Sequence, residues 1–167
     1  MRGDIVYPRF KKHLEYLKYL LKHKYYVGIQ CVKLGLVWQA IAHDLSKFLP
    51  REWIPYVEHF YGRNPDAYKE EFDLAWLLHQ HKNPHHHHQY WILKKDDGSL
   101  QPIPMPQKYI LEMLCDWWGA GRALGKEGGW EEVKNWYSTD REKMLLHEST
   151  RREVEYFLRN VGWWEND

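Results

Sequence analysis

The chain has little cysteine, no long apolar run and almost no excess charge, and each shortage removes a class of protein. Cys31 and Cys115 are its two cysteines, far apart and outside any CxxC pair. A thiolate zinc site or a disulfide scaffold is not expected, and both read as reduced, buried thiols of a cytosolic protein. No apolar stretch reaches the roughly 18–20 residues that span a bilayer. The opening MRGDIVYPRFKKH has no signal-type hydrophobic region, so a cytoplasmic protein without a membrane partner is expected. Lys and Arg number 24 against 23 Asp and Glu, a formal charge of +1. That balance argues against an extended nucleic-acid surface. No internal repeat, long linker or shift in composition divides the 167 residues, so a single domain over 1–167 is expected.

The excess lies in the rings: 11 His, 10 Trp and 12 Tyr. Imidazole is the commonest protein metal ligand and titrates near neutrality, which makes the arrangement of the histidines the question to ask. His85–His88 form an internal run after a Trp- and Leu-rich segment. A purification tag sits at a terminus, so these are read as native.

The periodicity predicts an all-α chain. Phe10, Leu14, Leu17 and Leu21 recur on one face of a helix that follows Pro8 and runs to about Tyr26. A second helix is expected from Val27 to His43-Asp44 on the stripe Val27, Cys31, Leu34, Trp38 and Ile41. Pro50 and Pro55 frame a third, to about Tyr61; Asn64-Pro65-Asp66 is a turn, and residues 66–82 form a fourth. Asp97-Gly98 suits a small β-hairpin near 90–103. A helix restarts at Pro106, and two more are expected near 130–137 and 139–161, the last capped by Ser138 or Thr139. Trp38, Trp76 and Trp117 are placed in the core, His59 and His147 are read as structural, and His81, His87 and His88 as solvated.

The chemistry centres on His43-Asp44-Leu45-Ser46-Lys47. An adjacent His-Asp pair offers a nitrogen and a carboxylate oxygen to one divalent cation, and the carboxylate can bridge two. Lys47 adds a point charge suited to phosphate. His23 precedes the pair by 20 residues and His13 by 30. His79 and the 85–88 run follow, and Asp116 stands in the apolar segment EMLCDWW, where an unpaired carboxylate would be costly to bury.

This ordered set, with HDxxK at the pair, resembles the HD-domain superfamily of metal-dependent phosphohydrolases. It is closest to an uncharacterised HD-like family of phages and bacteria. The segments that carry the likeness are LKHKYYV, WQAIAHDLSKF, AWLLHQHKNPHH and MPQKYILEMLCDW, spanning about residues 20–120. The resemblance implies an HD-like helical bundle around a central metal site. His23, His43, Asp44 and Asp116 would hold one ion, with His13 in reserve for His23. His79 with one or both of His85 and His86 would hold a second ion bridged by Asp44.

The expected activity is hydrolysis of a nucleotide or another phosphate ester or anhydride by a metal-activated water. Lys47 would contact phosphate, His85 or His86 would protonate the leaving oxygen if not a ligand, and Asn83 and Arg122 are further substrate-binding candidates. Mixed His and carboxylate ligation suits one or two ions of Mn, Fe, Co, Ni or Zn. Two alternatives are carried: an HD-type di-iron oxygenase, and a non-catalytic protein that binds a nucleotide or signal molecule. If the chain is phage-encoded, its expected location is the host-cell cytoplasm.

Overall fold

The computed structural model describes residues 9–82 and 86–161. Among these the fold is all-α, with seven α-helices and one small antiparallel hairpin. In chain order the helices are α1 (Arg9–Lys33), α2 (Val37–Ala42), α3 (Pro50–Tyr61), α4 (Lys69–Lys82), α5 (Gln107–Ala123), α6 (Gly129–Asp140) and α7 (Glu148–Asn160). Strands β1 (Ile92–Lys94) and β2 (Leu100–Pro102) pair with Leu93 opposite Gln101. Asp97-Gly98 forms the turn between them, with Gly98 at φ +83°. No helix of the described residues is long and apolar enough to cross a membrane.

The first helix differs from the expectation in length and in phase. It continues through Val27 to Lys33, and the chain breaks at Gly35, whose φ of +74° suits a residue without a Cβ. It buries Tyr16, Leu20, His23, Val27 and Cys31, whereas Phe10, Leu14 and Leu21 are exposed. Two apolar stripes with the same helical period run along α1. The buried one is the stripe that also carries His23. The stripe expected for the second helix fails in the same way, since Trp38 and Ile41 of α2 lie on the surface.

Helix α1 packs along α5, and Gly119 makes that approach close. A Cβ there would run into Val27, including its backbone nitrogen at 2.9 Å. Cys31 and Cys115 are buried together beside Val27 at this contact. One core cluster joins α5, α6 and α7 through Ile110, Met113, Leu114, Val133, Val154 and Leu158. A second joins α1, α3 and α4 through Tyr16, Leu20, Tyr56, Val57 and Ala75. Helix α7 begins at His147, not at Ser138 or Thr139. The His147 side chain accepts from the Ser149 N–H, and the two hydroxyls instead bond back to the Asn135 carbonyl within α6.

Candidate metal centre

The two core clusters flank a polar centre whose donors come from five segments. His23 projects from the buried face of α1, His43 ends α2, His79 ends α4, His86 follows it, and Asp116 lies in the middle of α5. Asp44 begins the 3₁₀ turn Leu45–Phe48 at φ +57°, the one non-glycine residue with positive φ among the described residues. Asp tolerates this left-handed backbone better than most residues, at a cost of order 1–3 kcal/mol. The turn aims its carboxylate inward, and Lys24 holds the segment by donating to the carbonyls of Ile41 (2.6 Å) and His43 (2.9 Å).

The carboxylate of Asp44 faces two groups of imidazoles, one with each oxygen. Its Oδ2 lies 3.3 Å from His23 Nε2 and 3.5 Å from His43 Nε2. Asp116 Oδ1 closes that group at 3.0 and 3.4 Å from the same two nitrogens, which are 3.3 Å from each other. Asp44 Oδ1 lies 3.3 Å from His79 Nε2 and 3.5 Å from His86 Nε2. His87 joins His79 and His86 within ligating distance of one another.

These spacings fit a cation. Ligand atoms about 2.0–2.2 Å from a metal stand roughly 3.0–3.5 Å from one another in tetrahedral or octahedral geometry. Two imidazole Nε2 atoms and two carboxylate oxygens that converge this closely repel unless a proton or cation lies among them. Buried His/Asp/Glu groups of this composition could hold a metal ion.

Two carboxylates support the imidazoles from behind. Glu112 Oε1 lies 3.1 Å from His43 Nδ1 and 3.6 Å from His86 Nδ1. Glu52 Oε2 lies 2.8 Å from His79 Nδ1 and accepts from the Ser46 hydroxyl at 3.1 Å. Both glutamates are buried. An ionised carboxylate only accepts, so it keeps the proton on Nδ1 and directs Nε2 toward the centre. Sequence reasoning missed both glutamates and His87. Glu112 stands one helical turn before Asp116 in the same apolar segment, which is the signal that would have found it. Glu52 shows no such mark, because the proline-framed helix gives no sign of which side it buries.

The electrostatics follow from this crowding. Burial opposes ionisation of Asp44, but Lys47, His43 and hydrogen bonds from His23 and His79 hold its pKa well below the ordinary range. Asp116 is likewise held low against its burial by the surrounding imidazoles. Burial disfavours the imidazolium of His43, yet Asp44, Asp116 and Glu112 lift its pKa to about 10. His86 goes the other way, pushed well down by burial and by the neighbouring His43 and His87. Lys47 Nζ sits 2.7 Å from Asp44 Oδ2, and that pairing keeps it charged despite its burial.

Lys47 also lines a cavity of about 650 Å³ walled by Tyr16, Tyr19, Tyr56, Phe72 and Trp76. Tyr19 stacks on His23 and Trp76 on His79, so two walls of the cavity are continuous with ligand candidates.

The other expected site residues are placed as follows. His13 accepts from the Trp53 indole N–H at 2.9 Å, so His23 takes the first position in the cluster. Arg122 is not brought to the centre. Its guanidinium sits over the rings of Tyr26 and Trp118 and lines a separate groove with Trp117 and Trp136. His59, read as structural, stacks on Phe72 with ring centroids 3.9 Å apart and also lines the cavity beside Lys47. His87 and His88 are half-buried rather than solvated, and His81 is exposed. Asn83 and His85 lie outside the described residues.

Residues 12–160 match a family of unknown function, DUF5662. The chain belongs to this family. No curated protein and no solved structure matches it. The match covers every described residue of the DUF5662 metal-centre candidate, from His23 to Asp116.

Proposed function

We propose that the protein is a metal-dependent phosphohydrolase acting on a nucleotide or another small phosphate ester or anhydride. The observation that carries the reading is Lys47, which touches the carboxylate of Asp44 on one side and an aromatic cavity on the other. A positive point charge between a metal-binding group and a ligand-sized cavity suits a phosphoryl group. The aromatic walls suit a flat organic moiety such as a base.

In this reading His23, His43, Asp44 and Asp116 hold one divalent cation, and Asp44, His79, His86 and His87 a second. The cation supplies Lewis acidity and lowers the pKa of a water. The water gives up a proton to solvent and its oxygen bonds to phosphorus, the bond to the leaving oxygen breaks, and that oxygen takes up a proton from solvent. Lys47 steadies the phosphoryl oxygens as charge builds on them. Glu112 and Glu52 fix the orientation of His43 and His79 throughout. His86, with its Nε2 3.5 Å from Asp44 Oδ1, serves as a ligand in this scheme and not as the proton donor.

The test is metal analysis of the purified protein together with a screen of nucleotides and phosphodiesters against each candidate metal. Turnover is expected in the wild type, with a loss of at least about 100-fold in Asp44→Asn and Lys47→Met. Binding without turnover under every metal would leave the non-catalytic alternative and defeat the enzyme reading. The carboxylate facing two histidine groups also favours a second reading, a di-iron centre that activates oxygen. That reading requires about two irons per chain and a colour that changes on exposure to oxygen.

A further inference from the structure

Helix α1 is apolar on two sides, and among the described residues only one of them is covered. At 100° per residue, Phe10, Leu14, Leu21, Tyr25 and Val32 fall within an arc of about 60°. The buried residues Tyr16, Leu20, His23, Val27 and Cys31 centre roughly 130° away. The first set is between 38% and 80% exposed. Helix α2 extends this surface. It has no buried residue and exposes Val37, Trp38 and Ile41. It lies directly beside the stripe, because Lys24 bonds to the Ile41 carbonyl and a Cβ on Gly28 would meet the Ala40 carbonyl at 3.9 Å.

We infer that this surface is the two-fold interface of a homodimer. The area argues for it. Large side chains expose roughly 150–250 Å² each, so these eight at their observed exposures present on the order of 800 Å². That exceeds the largest apolar patch of a typical monomer, about 300–600 Å². It equals the share of one partner, about 800 Å², in a stable interface.

The form of the surface argues for a second copy over other occupants. A helix that lies on a bilayer turns a basic polar face to water opposite its apolar stripe, whereas α1 buries Tyr16, Leu20, Val27 and Cys31 on its far side. Here Lys11, Lys18 and Lys22 follow one edge, and the other edge is closed by the apolar side of α2. An apolar stripe along a 25-residue helix can pair with its own copy in antiparallel fashion, as a two-fold axis requires. The lysines then fall on the hydrated rim.

The experiment is sedimentation velocity from 1 to 100 µM on the full chain, with Tyr25→Glu and Trp38→Glu singly and together. The wild type is expected at twice 20.4 kDa. Each single variant is expected to weaken association at least about 30-fold, the size of an interface hot spot. Tyr25 and Trp38 are 64% and 73% exposed, so unchanged helical circular dichroism and metal content are expected in both variants. A wild type that stays monomeric at 100 µM overturns the proposal, as does a dimer that withstands both substitutions. Phosphatidylserine vesicles are the second arm: capture of the wild type as a monomer, lost in the double variant, would assign the face to a membrane and equally overturn it.

Discussion

A metal ion bound at this cluster should raise the protein's thermal stability by a measurable amount. In the unfolded chain the ligands cannot assemble, since His23 and Asp116 are 93 residues apart (116 − 23). In the folded chain they already stand 3.0 Å apart. Binding therefore acts on the native state almost alone, and one ion at 100 times its Kd stabilises by about 2.7 kcal/mol. For a chain of this length each kcal/mol moves Tm by about 2–4 °C, which gives a rise of roughly 5–10 °C. If both histidine groups load, the rise approaches twice that. The assay is differential scanning calorimetry on protein stripped with chelator, then supplied singly with Mn, Fe, Co, Ni or Zn. Asp44→Asn should abolish most of the rise, because Asp44 faces both groups. No rise with any of the five metals, or an equal rise in Asp44→Asn, would refute the assignment of the cluster.

Three further outcomes are expected. Glu112→Gln and Glu52→Gln should each lower metal affinity by about 10–100-fold in a competition titration, with the helical circular dichroism retained. Gly119→Ala should destabilise by about 1–3 kcal/mol in urea unfolding, because its Cβ meets the Val27 backbone and α1 must move away from α5. The hydrogen bond with Cys31 and then burial push the Cys115 thiol well up, which disfavours its reactive thiolate, and Cys31 is buried beside it. Native protein should then be inert to a thiol reagent at pH 8, with two thiols per chain reacting in denaturant.

Much of the centre was legible because its residues are costly to place anywhere else. A His-Asp pair and a carboxylate in an apolar helix stand out along the chain, and the structure does bring His43, Asp44 and Asp116 together. The hairpin was legible for a similar reason, since Asp97-Gly98 supplies the positive φ that its turn needs. The phase of α1 was not. Both of its stripes satisfy the same period, and only contact with α3 and α5 decides which is buried. The supporting glutamates were hidden for a related reason: Glu52 and His79 become neighbours only when α3 and α4 pack, 27 positions apart. Trp38 was expected inside on hydrophobicity alone, yet large apolar residues do occur on surfaces.

Asp44 joins two roles in one residue, and this bears on how its loss should be read. A left-handed backbone admits Asn and Gly readily but penalises Ala, so Asp44→Ala removes a charge and strains a turn at once. Comparing Asn, Gly and Ala at this position separates the two effects. Asn keeps the turn and most of the side-chain shape without the charge. Gly keeps the turn and nothing else. Any additional defect of Ala over Gly then measures what the conformation alone contributes to aiming the turn at the histidines.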